Sequence, residues 1–440
     1  MNVLSLFDGM SCGQIALKQL GIIPEKYYAS EIDKHAIKQT QLNFPDTIQL
    51  GDVTQVDVSK LEPIDLLIGG SPCQSFSFAG KRVGMSTIDK EEIYTLDRYL
   101  ELKEEGFQFE GESYLFWEYM RILTDIRQYN PNVLFLLENV EMGKKWERVL
   151  SEAIGVYGVH INSALVSAQN RKRIYWTNIR TERDGLFDDL YSNIPQPADK
   201  GILLKDILED EVDEKFYMSN KAISGIMNHK QRHTEKGNGF GAQFPTVKSN
   251  ALLARCYKDG KENLICVAQR GRETYCLTSV QKDNLIMEDV RVKGFSYTDR
   301  GIRPHRGDYR KSGVSEYGTI LYTDQKSDTH IASHVGMIVE EDSPLNKRQK
   351  ANYKSADQKE NSLLATSWKG SQSNGMTLTG IARIRRLTPI ECARLQTIPS
   401  WYKWECSDTQ QYRMLGNGWT VDVIVHILSF IKDKLNINVA

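Results

Sequence analysis

Apolar runs and amphipathic stretches alternate along the first 180 residues of this 440-residue chain. Short apolar runs predict buried strands, and stretches with apolar positions every three or four residues predict helices. Their alternation is typical of an α/β domain with a mostly parallel sheet. The predicted strands are 3–7, 27–32, 66–68, 133–137, 160–166 and 174–179, and the predicted helices are 13–20, 34–43, 113–129 and 144–154.

The pattern changes beyond this region. Glycine, threonine and short β-type runs then dominate, and residues 275–286 and 319–331 are similar enough to predict repeated hairpins with charged tips. The α/β pattern returns at residue 384, and a last helix is predicted near the end of the chain. We therefore predict a catalytic domain made of 1–180 and 384–440, and a smaller β-rich domain at 181–383.

Three predicted strands adjoin residues with reactive side chains. Cys73 follows one apolar run in the turn Pro72-Cys73-Gln74, Glu138 ends another, and Arg171 and Arg173 precede a third. Open α/β sheets bind ligands beyond the carboxyl ends of their strands. A lone cysteine is usually a small buried hydrophobe, and an acid or arginine at a strand end is usually a cap or a solvated rim. The coincidence of the three favours a reactive site.

These motifs resemble those of DNA (cytosine-5)-methyltransferases, and the similarity covers roughly 1–180 and 380–440. The matching segments, in the expected order, are Phe7-Asp8-Gly9, Pro72-Cys73-Gln74, Glu138-Asn139-Val140, Gln169-x-Arg171-x-Arg173 and Gly416-Asn417. The resemblance implies a Rossmann-like fold that uses S-adenosylmethionine, with a β-rich target-recognition domain at 181–383.

Two segments depart from the family pattern. The usual Phe-Ala-Gly-x-Gly-Gly is Phe7-Asp8-Gly9-Met10-Ser11-Cys12-Gly13 here, and the usual Gly-Asn-Ser is Gly416-Asn417-Gly418-Trp419.

Carbon 5 of cytosine is a poor nucleophile, and a thiolate added at carbon 6 activates it. Cys73 is the candidate nucleophile. Glu138 would hydrogen-bond the N3 and amino edge and protonate N3, and Arg173, with Arg171, would orient O2. For the arginines, a salt bridge that supports the strand edge is the alternative. The base must be flipped out of the duplex, and residues 75–112, which include an acidic insertion, are the candidate lid.

The predicted methyl donor is S-adenosylmethionine. Gly9 and Gly13 lie in a strand-to-helix turn where backbone can approach a ligand. Glu31, at a strand end, is placed to bind ribose hydroxyls, and Asp52 could accept the adenine amino group. The remaining predicted donor contacts are Phe7, Ile32, Val53, Pro72, Leu115, Asn417 and Trp419; the resemblance implies all of these except Ile32 and Val53, which adjoin Glu31 and Asp52.

Charge and composition bound the partners. The formal net charge is −1, but residues 221–258 hold seven Lys and Arg against one acid, and residues 291–311 hold seven against two. Such stretches favour a phosphate-contacting surface, and the resemblance implies double-stranded DNA as the partner. Seven cysteines without a Cys-x-x-Cys pair argue against structural zinc and disulfides. We expect no metal, no membrane partner, a monomer, and the cytoplasm of a bacterial or phage-infected cell.

Other functions fit the sequence less well. An RNA cytosine-5 methyltransferase would use the same site, but the long recognition region favours duplex DNA. A catalytically silent DNA-binding relative is disfavoured because Cys73, Glu138 and Arg173 are all present. A thiol protease lacks a histidine at a comparable strand tip, and methylation of a free nucleotide would leave the basic β-rich region without a role.

Overall fold

The computed structural model describes residues 1–72, 85–184, 188–219 and 381–431, together with separate segments between 222 and 378. Cys73 and Gln74 lie outside the described residues, as do most of the two basic stretches and the tips of the predicted hairpins.

The chain forms two compact units. The first comprises 1–207, 250–258 and 389–440, and the second comprises 208–249 and 259–388. The predicted functional division at 181–383 stays a prediction.

The first unit contains a seven-stranded sheet. Its strands are β1 (Asn2–Leu6), β2 (Lys26–Ser30), β3 (Ile48–Gln49), β4 (Leu66–Gly70), β5 (Leu134–Val140), β6 (Val159–Asn162) and β7 (Lys172–Thr177). They lie in the order β3-β2-β1-β4-β5-β7-β6. Strands β1 to β5 pair in parallel, and β7 is antiparallel to both β5 and β6. The predicted mostly parallel α/β fold is confirmed.

Eight α-helices are described, and two of them, 34–43 and 144–154, have the predicted bounds. The helices are α1 (Cys12–Gln19), α2 (Lys34–Asn43), α3 (Leu96–Glu104), α4 (Phe116–Tyr129), α5 (Lys144–Ile154), α6 (Pro389–Leu395), α7 (Asp408–Asn417) and α8 (Val421–Ser429). Short 3-10 turns occupy Val53–Gln55, Val58–Lys60, Ser113–Leu115, Ser163–Leu165, Leu204–Ile207 and Glu214–Phe216. Within the described part of the chain, no helix is both long and apolar enough to cross a membrane.

The core of the first unit lies along the central strands. Leu4, Leu67 and Phe135, on β1, β4 and β5, are fully buried. Strands that are covered on both faces are apolar along most of their length, and this explains why the runs at 66–68 and 133–137 were recognisable from the sequence.

The second unit is β-rich in its described parts. Leu264–Arg270 pairs antiparallel with both Ile381–Arg386 and Glu273–Cys276, and Phe295–Thr298 pairs with Gly301–Pro304 and with Thr319–Ile320. The first unit has further described strands at Ser86–Thr87, Phe109–Glu110, Gln169–Asn170, Thr181–Arg183 and Leu190–Ser192, and the other described strands are Ser249–Asn250, Tyr353–Ser355 and Met376–Leu378.

The acidic insertion is anchored to the core over residues 85–112. Tyr99 and Leu102 of α3 are buried against α4. The fully buried Glu118 of α4 accepts hydrogen bonds from the Tyr99 hydroxyl (2.5 Å), the Lys103 ammonium (2.5 Å) and the Arg121 guanidinium (2.7 Å). These contacts anchor residues 85–112 to the core, and the predicted role of 75–112 as a lid stays a prediction.

Glu118→Ala should lower the free energy of unfolding by about 3 kcal/mol, because it removes the shared acceptor of a buried charged cluster. The loss should lie at the lower end of the usual range, since Lys103 and Arg121 keep partial access to water. Glu101→Ala is the matched control: it breaks an exposed pair with Arg98 and should cost less than about 1 kcal/mol. Urea unfolding measures both, and equal losses would contradict the anchoring role.

Candidate active site

The register of the central sheet places three elements around one carboxylate. Gly70 at the end of β4 lies directly opposite Glu138 on β5, and Tyr175 on β7 lies opposite Glu138 on the other side. Arg173 lies two residues from Tyr175, so it shares a face with Glu138 and is its diagonal neighbour. The sheet therefore brings Glu138 and Arg173 together, as expected from their positions at strand ends.

The Glu138 carboxylate is held on both oxygens. Oε1 lies 2.9 Å from Nε of Arg173, and Oε2 accepts a hydrogen bond of 3.1 Å from the indole Nε1 of Trp419. The side chains of Glu138 and Arg173 are 11% and 14% exposed, so the pair is largely shielded from water. Burial and the nearby Glu138 carboxylate raise the pKa of the Tyr175 phenol well above its ordinary value, so this neighbour stays neutral.

The neighbouring residue ties the ends of β4 and β5 together. Asn139 is buried, and its side-chain amide donates to the hydroxyl of Ser71 at 3.0 Å and to the Ser71 carbonyl at 3.3 Å. Pro72, the last described residue before Cys73, follows directly and is half-buried. The strand end that leads to Cys73 is thus fixed beside the strand that carries Glu138.

Arg171 has different surroundings from Arg173. Its guanidinium is buried and donates to the carbonyls of Leu252 (3.1 Å), Gly416 (3.3 Å) and Gly418 (2.9 Å). These bonds hold the turn between α7 and α8 against the start of β7. The predicted contact of Arg171 with the base stays a prediction.

The turn after β1 has the backbone of a ligand-binding loop. Phe7, Gly9 and Ser11 all adopt positive φ, at 58°, 58° and 65°. A side chain at Gly13 would meet Cδ1 of Ile68 at 2.3 Å, so only glycine permits this close approach of α1 to β4. The amide of Gly9 donates to Oε2 of Glu31 at 2.8 Å, which joins this turn to the end of β2.

Glu31 and Asp52 both lie beyond strand ends, at the edge of the sheet where β1 and β4 also end. Oε1 of Glu31 accepts from the amides of Ile32 and Asp33, both at 2.8 Å, and Ile32 is 75% exposed. Oδ1 of Asp52 accepts from the amide and hydroxyl of Thr54, both at 2.9 Å. A rigid carboxylate beside an exposed apolar side chain suits a ribose next to a flat base.

The other predicted donor contacts lie apart in the chain. Val53 is buried in the 3-10 turn after Asp52, and Leu115 is partly buried at the start of α4. Asn417 is exposed at the end of α7, and Trp419 is bound to Glu138 as described. Among the described residues, no cluster of three or more His, Cys, Asp or Glu could hold a metal ion.

Asp8 departs from the family pattern and occupies a closed position. Its Oδ1 accepts from the Tyr27 hydroxyl at 2.9 Å, and its Oδ2 is enclosed without a hydrogen-bond partner in the described structure. Burial raises the pKa of Asp8 to about 6, an effect reduced by the hydroxyls of Ser5, Ser11 and Tyr27. Burial also raises the pKa of the nearby Cys12 thiol to about 12, so this cysteine is not a thiolate.

Comparison with known proteins identifies one family, that of cytosine-specific DNA methylases. The family model for C-5 cytosine-specific DNA methylases matches residues 1–433. The chain is 31% identical over 309 residues to the type II methyltransferase M1.ScrFI of Lactococcus lactis subsp. cremoris, covering 67% of this chain and 69% of that protein. It is 26% identical over 502 residues to the orphan methyltransferase M.SPRI of Bacillus phage SPR, covering 97% of this chain and 96% of that protein.

The fold has relatives among solved structures. The structure of the Entamoeba histolytica methyltransferase EhMeth aligns with a TM-score of 0.51 at 12% identity, and the alignment covers 99% of this chain and 98% of that one. At this identity the likeness supports the fold alone.

Asp8→Asn should gain stability relative to the wild type as the pH rises from about 4 to about 6. The pKa of Asp8 in the folded protein, about 6, exceeds its ordinary value of 3.8, so the folded state binds this proton more tightly than the unfolded chain does. The contribution of Asp8 to wild-type stability therefore falls as the pH rises through this window, whereas asparagine cannot ionise. Urea unfolding of both proteins across the window measures the difference. A difference that does not change with pH would contradict the burial of an ionisable Asp8.

Proposed function

The chain belongs to the C-5 cytosine-specific DNA methylase family and is a DNA (cytosine-5)-methyltransferase. We propose that it methylates a cytosine that is flipped out of a specific duplex sequence, and that the reaction proceeds through a covalent adduct with Cys73. The observation that carries the proposal is the Glu138 carboxylate. It is held by Arg173 and Trp419 beside the strand end where Pro72 lies, and Cys73 is the next residue in the sequence.

Cys73 supplies the nucleophile in this mechanism. Its thiolate forms a bond to carbon 6 of the ring, and the electron pair of the 5,6 double bond moves to carbon 5, which becomes nucleophilic. Carbon 5 then takes the methyl group from the donor sulfonium, whose carbon–sulfur bond breaks so that a neutral thioether leaves. Removal of the carbon 5 proton restores the double bond and expels the thiolate.

Glu138 recognises and activates the base. Each carboxyl oxygen has about two acceptor positions; Arg173 forms an ion pair with Oε1, and the Trp419 indole donates to Oε2. In the protonated form that the reaction uses, one oxygen accepts from the exocyclic amino group. The other oxygen donates its proton to N3 as the thiolate adds and takes it back as the thiolate leaves. Arg173 orients O2 and stabilises the charge that develops on the ring.

Arg171 has a supporting role in this proposal. Its buried guanidinium is directed at three backbone carbonyls, two of which belong to the turn that carries Trp419. It therefore acts through the position of that turn.

The described residues fit S-adenosylmethionine, which supplies the electrophilic methyl group. The strained turn at Phe7 and Gly9 offers backbone close to the sheet edge, and Glu31 would bind the ribose hydroxyls. Ile32 would cover the adenine, and Asp52 would accept its amino group. Gly13, Val53, Pro72, Leu115, Asn417 and Trp419 complete the proposed surroundings.

We assign sequence recognition to the β-rich region at 181–383. Its basic stretches suit phosphate contacts on double-stranded DNA, and a few side chains would read base edges. The target cytosine must leave the stack to reach Glu138. We propose that the protein acts as a monomer in the cytoplasm of a bacterial or phage-infected cell, consistent with the bacterial and phage origin of its relatives.

Cys73→Ser should abolish a denaturation-resistant adduct with duplex DNA that contains 5-fluorocytosine. The fluorine cannot be removed from carbon 5, so the thioether between Cys73 and carbon 6 persists after methyl transfer. The wild type should show a slower band on a denaturing gel only when S-adenosylmethionine is present.

Cys406→Ser is the matched control, because Cys406 is the partly exposed cysteine among the described residues. It should form the adduct as the wild type does. An adduct in Cys73→Ser would remove Cys73 from the mechanism, and an adduct formed only with RNA that contains 5-fluorocytidine would favour RNA as the substrate.

A further inference from the structure

We propose that Trp419 is a positioning residue for the Glu138 carboxylate, and that Gly70 is a glycine so that the indole can reach it. The inference rests on the role of Glu138 in the proposed function. Trp419 lies in the segment that departs from the family pattern, Gly418-Trp419, and this departure would therefore affect the chemical step.

The indole N–H bonds the oxygen that Arg173 leaves open. Nε1 of Trp419 lies 3.1 Å from Oε2 of Glu138, while Nε of Arg173 lies 2.9 Å from Oε1. With one partner on each oxygen, the carboxylate cannot turn about its last bond without losing a hydrogen bond. Without Trp419 only the arginine side would be restrained, and the carboxylate could rotate to meet the guanidinium with both oxygens.

Trp419 is itself firmly placed. It is 9% exposed, and a buried indole N–H needs an acceptor. The residue before it, Gly418, has its carbonyl bound by Arg171 (2.9 Å) and by the side-chain amide of Gln396 (3.1 Å). The residue after it, Thr420, is hydrogen-bonded to Gln396 and Ser163, each at 2.9 Å. The Gly418 carbonyl and the Thr420 hydroxyl are thus held on either side of Trp419, so the ring position is set by the fold.

Gly70 provides the space for this contact. It lies opposite Glu138 in the parallel pairing of β4 and β5. A Cβ at this position would lie 2.9 Å from Nε1 of Trp419 and 3.1 Å from Oε2 of Glu138. The first distance is shorter than real side-chain contacts allow, so any side chain at position 70 would push the two groups apart.

The inference separates two roles for Trp419. A residue that contacts only the methyl donor would, when changed, weaken donor binding and leave the chemical step unchanged at saturating donor. A residue that positions Glu138 would slow the chemical step with little effect on donor affinity.

Trp419→Phe keeps the ring and removes the N–H. We expect the single-turnover rate of methyl transfer, measured with labelled S-adenosylmethionine and unmethylated genomic DNA, to fall by about 10- to 100-fold, as a small misplacement of a reacting group costs. The dissociation constant for S-adenosylmethionine should change by less than about twofold, because phenylalanine keeps the aromatic ring that would contact the donor. The pH–rate profile should move to higher pH, because a hydrogen bond to the ionised carboxylate is lost. Gly70→Ala should give the same three results, because its methyl group would push the indole and the carboxylate apart. It replaces Trp419→Phe as the test if that variant does not fold.

Two further variants make the outcome decisive. Trp401→Phe, at a partly exposed tryptophan, should match the wild type. In a Glu138→Gln background, Trp419→Phe should lower the single-turnover rate by less than about a further threefold, since residues in one network do not act additively.

A wild-type rate in Glu138→Gln would refute the proposed role of Glu138 itself. If Glu138→Gln is slow, then a wild-type rate in Trp419→Phe, additive losses in the double variant, or a loss confined to donor affinity would each overturn the positioning role alone.

Discussion

The parallel pairing of β4 with β5 is the constraint on which the site depends. This register sets Gly70 directly opposite Glu138, and the antiparallel pairing of β7 then places Arg173 on the diagonal. Because Gly70 has no side chain, the turn between α7 and α8 can bring Trp419 to the same carboxylate from a distant part of the chain. A shift of β5 by one residue would turn Glu138 to the other face of the sheet and separate it from Arg173 and Trp419.

Much of the fold could be predicted because its signals are local. The helices at 34–43 and 144–154 follow from their periodicity, and the central strands follow from apolar runs that two-sided burial requires. The anchorage of the insertion at 85–112 could not be predicted for the converse reason. Its acidic residues dominate the pattern, whereas its anchorage depends on Tyr99 and on the buried Glu118, which lies in another helix.

The site was predictable only in part. Glu138 and Arg173 could be paired from their strand ends, since sheet geometry is regular. Arg171 and Arg173 look equivalent in sequence, and only the packing of the turn at 416–418 shows that one guanidinium binds carbonyls while the other binds Glu138. The bond from Trp419 joins residues 281 positions apart, and no local pattern indicates it. Gly69 and Gly70 are the one local signal of a close contact at this strand end, because glycine in a strand often marks a place where another group approaches the backbone closely.

The most direct test of the account is bisulfite sequencing of DNA from cells that express the protein and otherwise lack cytosine methylation. The account predicts unconverted cytosines confined to one short sequence context throughout the genome, and complete conversion in cells that express Cys73→Ser. Complete conversion of DNA in the presence of the folded wild-type protein would contradict it, whether or not the RNA of the same cells acquires 5-methylcytosine.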